Sequence, residues 1–111
     1  MTKKKRAKAP VLTGKQARHL RGLGHHLKPM AMLGKEGITD NVVAAVEAVL
    51  TVHELIKVRI QENCPLDRKE AAEQLSQQTG AAVAQILGKT FLLYRPNPDL
   101  ADDDRIKLPR G

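Results

Sequence analysis

The residues most suited to chemistry form the short stretch Gly34-Lys35-Glu36-Gly37, a Gly-x-x-Gly motif between an apolar run and a predicted helix. Two glycines permit a tight turn and let a ligand approach the main chain without a Cβ atom in the way. Thr39 is a suitable N-cap for the following helix, whose unpaired N–H groups favour a phosphate. Lys35 adds a positive charge and Glu36 a negative one. The motif indicates a grip on a nucleic-acid backbone, and an ordinary strand-to-helix turn is the alternative.

Positive charge is concentrated at the N-terminus. The chain carries a formal net charge of +7, and residues 1–10 hold five Lys or Arg residues and no acid. Basic arms of this kind bind nucleic acid through counterion release, or they keep a protein in solution. We expect residues 1–10 to be a disordered basic arm that adds non-specific affinity for nucleic acid.

Length and composition predict one folded domain. The 111 residues, of which 41% are hydrophobic, can close a single modest core. No apolar run approaches the ~20 residues of a membrane-spanning helix, and no secretory signal follows the basic arm, so we expect no membrane partner. Cys64 is the only cysteine, which excludes an internal disulfide and favours a reducing, cytoplasmic compartment. We expect a monomer.

The element before the motif reads as an amphipathic helix. Thr13 and Gln16 have the spacing of a capping box. The apolar face is predicted to hold Ala17, Leu20, Leu23, Gly24 and Leu27. The opposite face holds basic or histidine residues and no acid: Lys15, Arg18, His19, Arg21, His25 and His26. This face is either an RNA-facing stripe or an ordinary solvated surface.

The rest of the chain alternates between strand and helix patterns. The predicted segments are a buried strand at 29–33, a helix at 40–53, a strand at 55–60, a helix from the cap Asp67 to Gly80, and a hairpin of strands 82–87 and 90–94. The strand at 55–60 alternates, which predicts that its core-facing residues are Ile56, Val58 and Ile60 and its outward residues Lys57 and Arg59. The third helix has a thin apolar face of Ala71, Ala72 and Leu75, which predicts a peripheral position. Phe91 and Tyr94 are assigned to the core and the sheet edge.

This order, α-β-α-β-α-β-β, predicts a single compact α/β domain with a mixed four-stranded sheet. The predicted boundaries are an arm at 1–10, a domain at 11–96 and a C-terminal tail at 97–111.

Several other functions lack their signatures. Gly88-Lys89-Thr90 is not a P-loop, because position 83 is a valine where that motif requires glycine. The histidines have no metal-ligand spacing, so neither a metal nor another cofactor is expected. Nucleophile and base residues show no paired pattern, and we expect no enzymatic activity. The scarcity of aromatic residues disfavours stacking platforms such as the RRM sheet.

Five motifs occur in an order that is typical of a known family. They are Leu12-Thr13-Gly14-Lys15-Gln16, Leu27-Lys28-Pro29, the stretch from Leu33 to Thr39, the stretch from His53 to Val58, and the stretch from Ile86 to Arg95. In these residues the sequence resembles the CRM (chloroplast RNA splicing and ribosome maturation) domain in its stand-alone bacterial YhbY-like form. Leu87 departs from the pattern, since relatives tend to run from Ile directly into Gly-Lys-Thr.

The resemblance implies a fold like the C-terminal domain of bacterial translation initiation factor three, with a KH-like Gly-x-x-Gly loop. It also implies RNA binding and association with precursors of the large ribosomal subunit (pre-50S particles). The implied RNA-binding residues are the loop Gly34, Lys35, Glu36 and Gly37 and the basic residues Lys15, Arg18, Arg21, Lys28, Lys57, Lys89 and Arg95.

The sequence thus favours a non-enzymatic RNA-binding protein in ribosome biogenesis. One alternative is an adaptor that binds ribosomal proteins, with RNA contact incidental. An enzyme acting on RNA or a nucleotide and a DNA-binding protein are further alternatives.

Overall fold

The computed structural model describes residues 9–110 and contains, within them, three α-helices and four strands. In chain order these are α1 Gly14–Gly24, β1 Ala31–Leu33, α2 Asp40–His53, β2 Leu55–Ile60, α3 Arg68–Thr79, β3 Ala82–Leu87 and β4 Thr90–Tyr94, followed by a short 3-10 helix at Asp102–Asp104. The predicted order α-β-α-β-α-β-β is confirmed. The predicted disordered arm spans residues 1–10, of which residues 1–8 lie outside the described residues, so its disorder stays a prediction.

The α-helices begin at the predicted caps. In α1 the Thr13 hydroxyl accepts from the Gln16 N–H at 3.1 Å, and the Gln16 side chain accepts from the Thr13 N–H at 3.1 Å. In α2 the Thr39 hydroxyl accepts from the Val42 N–H at 3.2 Å. Each such cap stabilises the folded protein by about 1 kcal/mol, so residues next to the first turn determine where each helix begins.

The third helix has the same type of capping box at its start. The Asp67 carboxylate accepts from the Glu70 N–H at 2.8 Å, and the Glu70 carboxylate accepts from the Asp67 N–H at 3.4 Å. At its other end Gly80 adopts the left-handed conformation, with φ of 72°, which suits glycine.

The sheet has the strand order β1-β2-β4-β3. The pair β1–β2 is parallel, whereas β4 lies between β2 and β3 and is antiparallel to both. The strands β1, β2 and β3 therefore run in one direction, and their carboxyl ends share one edge of the sheet. We call this edge the loop end; it carries residues 34–39, residues 61–67 and the 88–89 turn.

One face of the sheet is covered by α2 and α3. Val46 and Leu50 of α2 are fully buried and belong to one core with Ile56 and Val58 of β2 and with Phe91 of β4. The alternation predicted for β2 is therefore confirmed.

The prediction that α3 lies at the periphery is wrong. Ala71, Ala72 and Leu75 are fully buried in the core with α2 and the sheet. Alanine has no side chain beyond Cβ, so a helix with a thin apolar face can bring its backbone close to the sheet and bury that face completely.

The other face of the sheet is covered by α1 and by the chain after β4. Leu20 of α1 is fully buried in a second core with Leu92 and Tyr94, and Ile106 and Leu108 pack against this core from the C-terminal segment. A Cβ atom at Gly24 would overlap the Leu92 side chain, so the end of α1 lies directly on the sheet.

Three placements differ from the sequence-based expectation. Leu23 is 42% exposed and not part of the apolar face, because α1 rests on the sheet through Leu20 and Gly24. Tyr94 lies in the interior strand β4 and not at the sheet edge. The strand β1 is an edge strand, in which Leu33 is buried and Met32 is 55% exposed, so it is not the fully buried strand expected from its apolar run.

A buried carboxylate connects the C-terminal segment to the sheet. Glu54, between α2 and β2, is fully buried and accepts from the Asn97 N–H and the Ile106 N–H, each at 2.6 Å. The Arg105 Nε lies 3.5 Å from the same carboxylate, and the Glu54 carbonyl accepts from the Arg95 N–H at 2.8 Å. Glu54 also has a positive φ of 61°, a conformation that non-glycine residues seldom adopt. Residues 97–110 are held against the domain by these contacts.

We expect Glu54→Ala to lower the free energy of unfolding by about 3 kcal/mol, because two partly buried main-chain N–H groups and the Arg105 guanidinium would lose their acceptor. Urea denaturation of the variant and the wild type measures this change. Glu73→Ala, which removes an exposed carboxylate of α3, is the control and should change stability by no more than about 0.5 kcal/mol. Equal effects of the two substitutions would contradict the structural role of Glu54.

Candidate nucleic-acid interface

The Gly-x-x-Gly motif forms a tight turn at the loop end, directly after β1. The Gly37 N–H donates to the Gly34 carbonyl at 2.9 Å, which closes the turn. Lys35 and Glu36 occupy its two central positions and are exposed. Thr39 then caps α2, so the predicted strand–loop–helix arrangement is confirmed. The turn presents an accessible backbone segment with one cation and one anion at its tip.

The two glycines serve different purposes. Gly37 has a φ of 66°, in the left-handed region where a Cβ atom is strained, and it is buried against Pro65. A Cβ atom on Gly34 would instead lie 3.0 Å from the side-chain oxygen of Gln61. Gly37 is therefore required by the turn itself, whereas Gly34 allows a close approach between the turn and its neighbours.

The charges beside the turn are mixed. Asp40, exposed at the first position of α2, interacts favourably with the partial positive charge of the helix N-terminus and so reduces its attraction for a phosphate. Glu36 also opposes a phosphate, whereas Lys35 favours one. Backbone N–H groups and Lys35, more than the helix dipole, are thus the features of this turn that suit an RNA backbone.

The 88–89 turn reaches the same end of the sheet. The Ile60 N–H donates to the Lys89 carbonyl at 2.7 Å, and the Arg68 guanidinium donates to the Gly88 carbonyl at 3.0 Å. The Lys89 ammonium lies 2.9 Å from the Glu62 carboxylate. The hydrogen bond from Lys89 and its positive charge hold the pKa of Glu62 below its usual value.

The predicted basic residues fall into two groups with Lys57 between them. Lys35 and Lys89 lie at the loop end, whereas Lys15, Arg18, Arg21 and Lys28 lie on or just after α1. Of these only Arg21 is partly buried. Lys57 is partly buried on β2, opposite Leu92 in the sheet register, and Leu92 is the side chain beneath the end of α1. Lys57 therefore lies on the face of the sheet that α1 covers, close to the end of that helix.

Arg95 does not join these groups. It follows β4 at the end of the sheet opposite the loop end. Its guanidinium lies 2.7 Å from the Glu47 carboxylate, donates to the Thr79 carbonyl at 2.7 Å and contacts the Thr51 hydroxyl at 3.1 Å, and the side chain is only 20% exposed. These contacts connect α2 to the end of α3, so the position of Arg95 indicates a structural role.

Arg59 is a basic residue that the site prediction missed. It is exposed on β2, next to Met32 of β1 and Thr90 of β4. Within residues 9–110 no hydrogen bond or ion pair engages its guanidinium. The alternating pattern of β2 already predicted that Arg59 points outward, but the family motifs do not extend to it. Arg59 lines a cleft of ≈ 510 Å³, and the other lining residues are Met32, Ile60, Gln61, Glu62, Asn63 and Lys89.

Across residues 9–110 there is no group of three or more His, Cys, Asp or Glu residues placed to hold a metal ion. Over the same residues no helix combines the length and the apolar character needed to span a membrane.

Alanine substitutions should separate the roles of the two glycines. We expect Gly37→Ala to lower the free energy of unfolding by roughly 1–2 kcal/mol, because the left-handed conformation is strained for alanine. Gly34→Ala should cost about 0.5 kcal/mol or less, because the Gln61 side chain can move away. Thermal or urea denaturation of both variants tests the difference, and equal losses would contradict it.

The Lys89–Glu62 pair predicts a shifted titration. In Lys89→Gln the pKa of Glu62 should rise towards its usual value, as followed by NMR of its carboxyl carbon over a pH series. The folded-state pKa is depressed, so the contribution of the pair is present at neutral pH and is lost as pH falls through that value. Lys69→Gln removes an exposed lysine that is not paired with Glu62 and should leave its titration unchanged.

The comparisons with known proteins agree with this architecture. Residues 12–95 match the CRS1 / YhbY (CRM) domain. The chain is 37% identical to "Probable RNA-binding protein YqeI" of Bacillus subtilis over 99 residues, covering 89% of this chain and 100% of that protein. It is 38% identical over 100 residues to a protein of Haemophilus influenzae named "RNA-binding protein", covering 90% of this chain and 97% of that one.

A solved structure shares the fold. The solution structure of a Staphylococcus aureus protein, described as a hypothetical protein and candidate RNA-binding protein, superposes with a TM-score of 0.74 at 38% sequence identity. The match covers 89% of this chain and 100% of that one. With the domain match across residues 12–95 and relatives aligned over nearly their whole length, the chain belongs to the CRS1/YhbY (CRM) domain family.

Proposed function

We propose that this protein binds RNA through the Gly34–Gly37 turn and the basic face of α1, without catalysing a reaction. The observation that carries this proposal is the exposed backbone turn at the loop end, with Lys35 at its tip and Lys89 on the neighbouring hairpin. The names of the bacterial relatives as RNA-binding proteins support the same partner.

Electrostatics add to this grip in two ways. The α1 helix has basic residues and no acid along its length, so its exposed face attracts phosphates. Residues 1–10 contribute a further five Lys or Arg residues, which would release counterions from RNA and make the affinity strongly dependent on salt. In this arrangement the turn positions the RNA backbone, and the charges provide affinity that is independent of sequence.

The target that we propose is ribosomal RNA in precursors of the large ribosomal subunit, in the cytoplasm. The resemblance to stand-alone bacterial CRM domains supports this target. The adaptor function remains the competing proposal, in which helix surfaces bind ribosomal proteins and the turn is dispensable. A substitution in the turn distinguishes the two.

The decisive variant is Gly34→Asp. A carboxylate at this position would repel phosphate and obstruct the backbone, and Gly34 tolerates a side chain better than the strained Gly37 does. We expect tagged wild-type protein to co-sediment with large-subunit precursors from cell lysate and Gly34→Asp to be released. Binding of purified protein to ribosomal RNA should weaken about ten-fold, with a smaller slope against salt concentration.

Gln74→Asp is the matched control, because it adds the same charge at an exposed position of α3, a helix on the face of the sheet opposite α1. Circular dichroism of each variant checks that the fold is intact. A folded Gly34→Asp variant that remains on the particles would reject the backbone grip and favour the adaptor. Wild-type protein that stays at the top of the gradient would reject the ribosomal target.

A further inference from the structure

One row of side chains on the α1-covered face of the sheet is left open. Met32 of β1, Arg59 of β2, Thr90 of β4 and Leu87 of β3 are direct neighbours in the strand register and cross all the strands of the described sheet. We call these residues the open row. Met32 is 55% exposed and Leu87 63% exposed, although both belong to strands.

The open row lies just beyond the end of α1. The next row inward contains Leu92, which packs beneath Gly24 at the end of that helix. Helix α1 therefore covers the sheet only as far as Leu92. The open row lies between Leu92 and the loop end. Within the described residues, a surface that combines a guanidinium, a thioether and an aliphatic side chain is left uncovered.

Amide side chains separate the open row from the Gly34–Gly37 turn. The Gln61 side-chain nitrogen lies 3.6 Å from the sulfur of Met32. A Cβ atom on Gly34 would lie 3.0 Å from the Gln61 side-chain oxygen and 4.0 Å from that of Asn63. Gln61 and Asn63 thus stand between the backbone grip and Arg59, in the ≈ 510 Å³ cleft described above.

This combination has the chemistry of a nucleobase site. Unpaired bases of RNA stack on planar groups, including the arginine guanidinium, and form hydrogen bonds along their edges. Side-chain amides carry both a donor and an acceptor and can pair with a base edge. Arg59 supplies a guanidinium that no group among residues 9–110 engages, and Met32 supplies an adaptable apolar surface. The Glu62 carboxylate in the cleft is paired with Lys89 and so carries little net repulsion.

We propose that the cleft formed by Met32, Arg59, Gln61 and Asn63 binds an unpaired nucleobase whose phosphate is held at the Gly34–Gly37 turn. The inference rests on the proposed RNA-binding function and specifies its target, a single-stranded RNA segment. In a duplex the bases are stacked and paired, so a base could not enter this cleft.

The test measures binding of short single-stranded RNA oligonucleotides by fluorescence anisotropy. Each oligonucleotide is compared with versions that carry an abasic nucleotide at successive positions and with its duplex. The variants are Arg59→Lys, which keeps the charge and removes the planar group, and the double variant Gln61→Ala/Asn63→Ala. Gln77→Ala removes an exposed amide from α3 and is the matched control.

We expect wild-type protein to lose about ten-fold in affinity when the base at one position is removed, which is the typical contribution of one stacked base. Both cleft variants should bind the intact strand about ten-fold more weakly and show little further loss on the abasic strand. The salt dependence should be unchanged in Arg59→Lys, because the charge is retained.

Two results would overturn the inference. One is wild-type affinity that is equal for intact and abasic strands, or for single strands and duplexes. The other is a loss in the cleft variants that is the same on intact and abasic strands. If either result is obtained while Gly34→Asp still binds RNA more weakly than the wild type, the nucleobase site is rejected and the proposed RNA-binding function is retained. Absence of RNA binding by the wild type rejects the proposed function as well.

Discussion

The carboxylate of Glu54 is the interaction on which the second face of the sheet depends. It accepts hydrogen bonds from the main-chain N–H groups of Asn97 and Ile106, and these bonds hold the chain after β4 against the end of the sheet. This segment brings Ile106 and Leu108 against Leu20 of α1, and the Pro109 carbonyl accepts from the Gln16 side chain at 3.1 Å. The basic helix is therefore positioned partly by residues far away in sequence, through one buried charge.

The loop end follows from the direction of the strands. Because β1, β2 and β3 run in parallel, the segments after them emerge at the same edge. The Gln61 N–H donates to the Leu33 carbonyl at 2.8 Å, which connects the start of the 61–67 loop to the end of β1. The Gly34–Gly37 turn thus has rigid neighbours on its β2 side. This fixed arrangement is what a backbone grip beside a nucleobase cleft requires.

Local signals made much of this fold predictable from the sequence. The caps Thr13, Thr39 and Asp67 and the alternating residues of β2 are encoded within a few positions, and the structure has them where the patterns indicated. The Gly34–Gly37 turn was predicted in the same way. The target RNA and the contacts of the basic residues with it stay predictions.

Features set by distant contacts were not predictable. The burial of α3 depends on how closely alanine lets it approach the sheet, and the edge position of β1 depends on strand order. The role of Glu54 has no local signal in the sequence, because its partners lie more than forty positions away. Arg59 was visible as an outward residue, but its neighbours Met32 and Thr90 come from strands that only the folded sheet brings together.

The central position of β4 has a consequence for how the chain folds. The last strand in sequence lies between β2 and β3, so these two strands do not pair with each other and are joined in the sheet only through residues 90–94. On the ribosome the sheet can close only after residues 90–94 have left the exit tunnel. Folding then requires pairing between strands that are distant in sequence, which slows it relative to local pairing. A chain that stops before residue 90 therefore cannot complete the sheet, and the candidate interface at the loop end is not assembled in it.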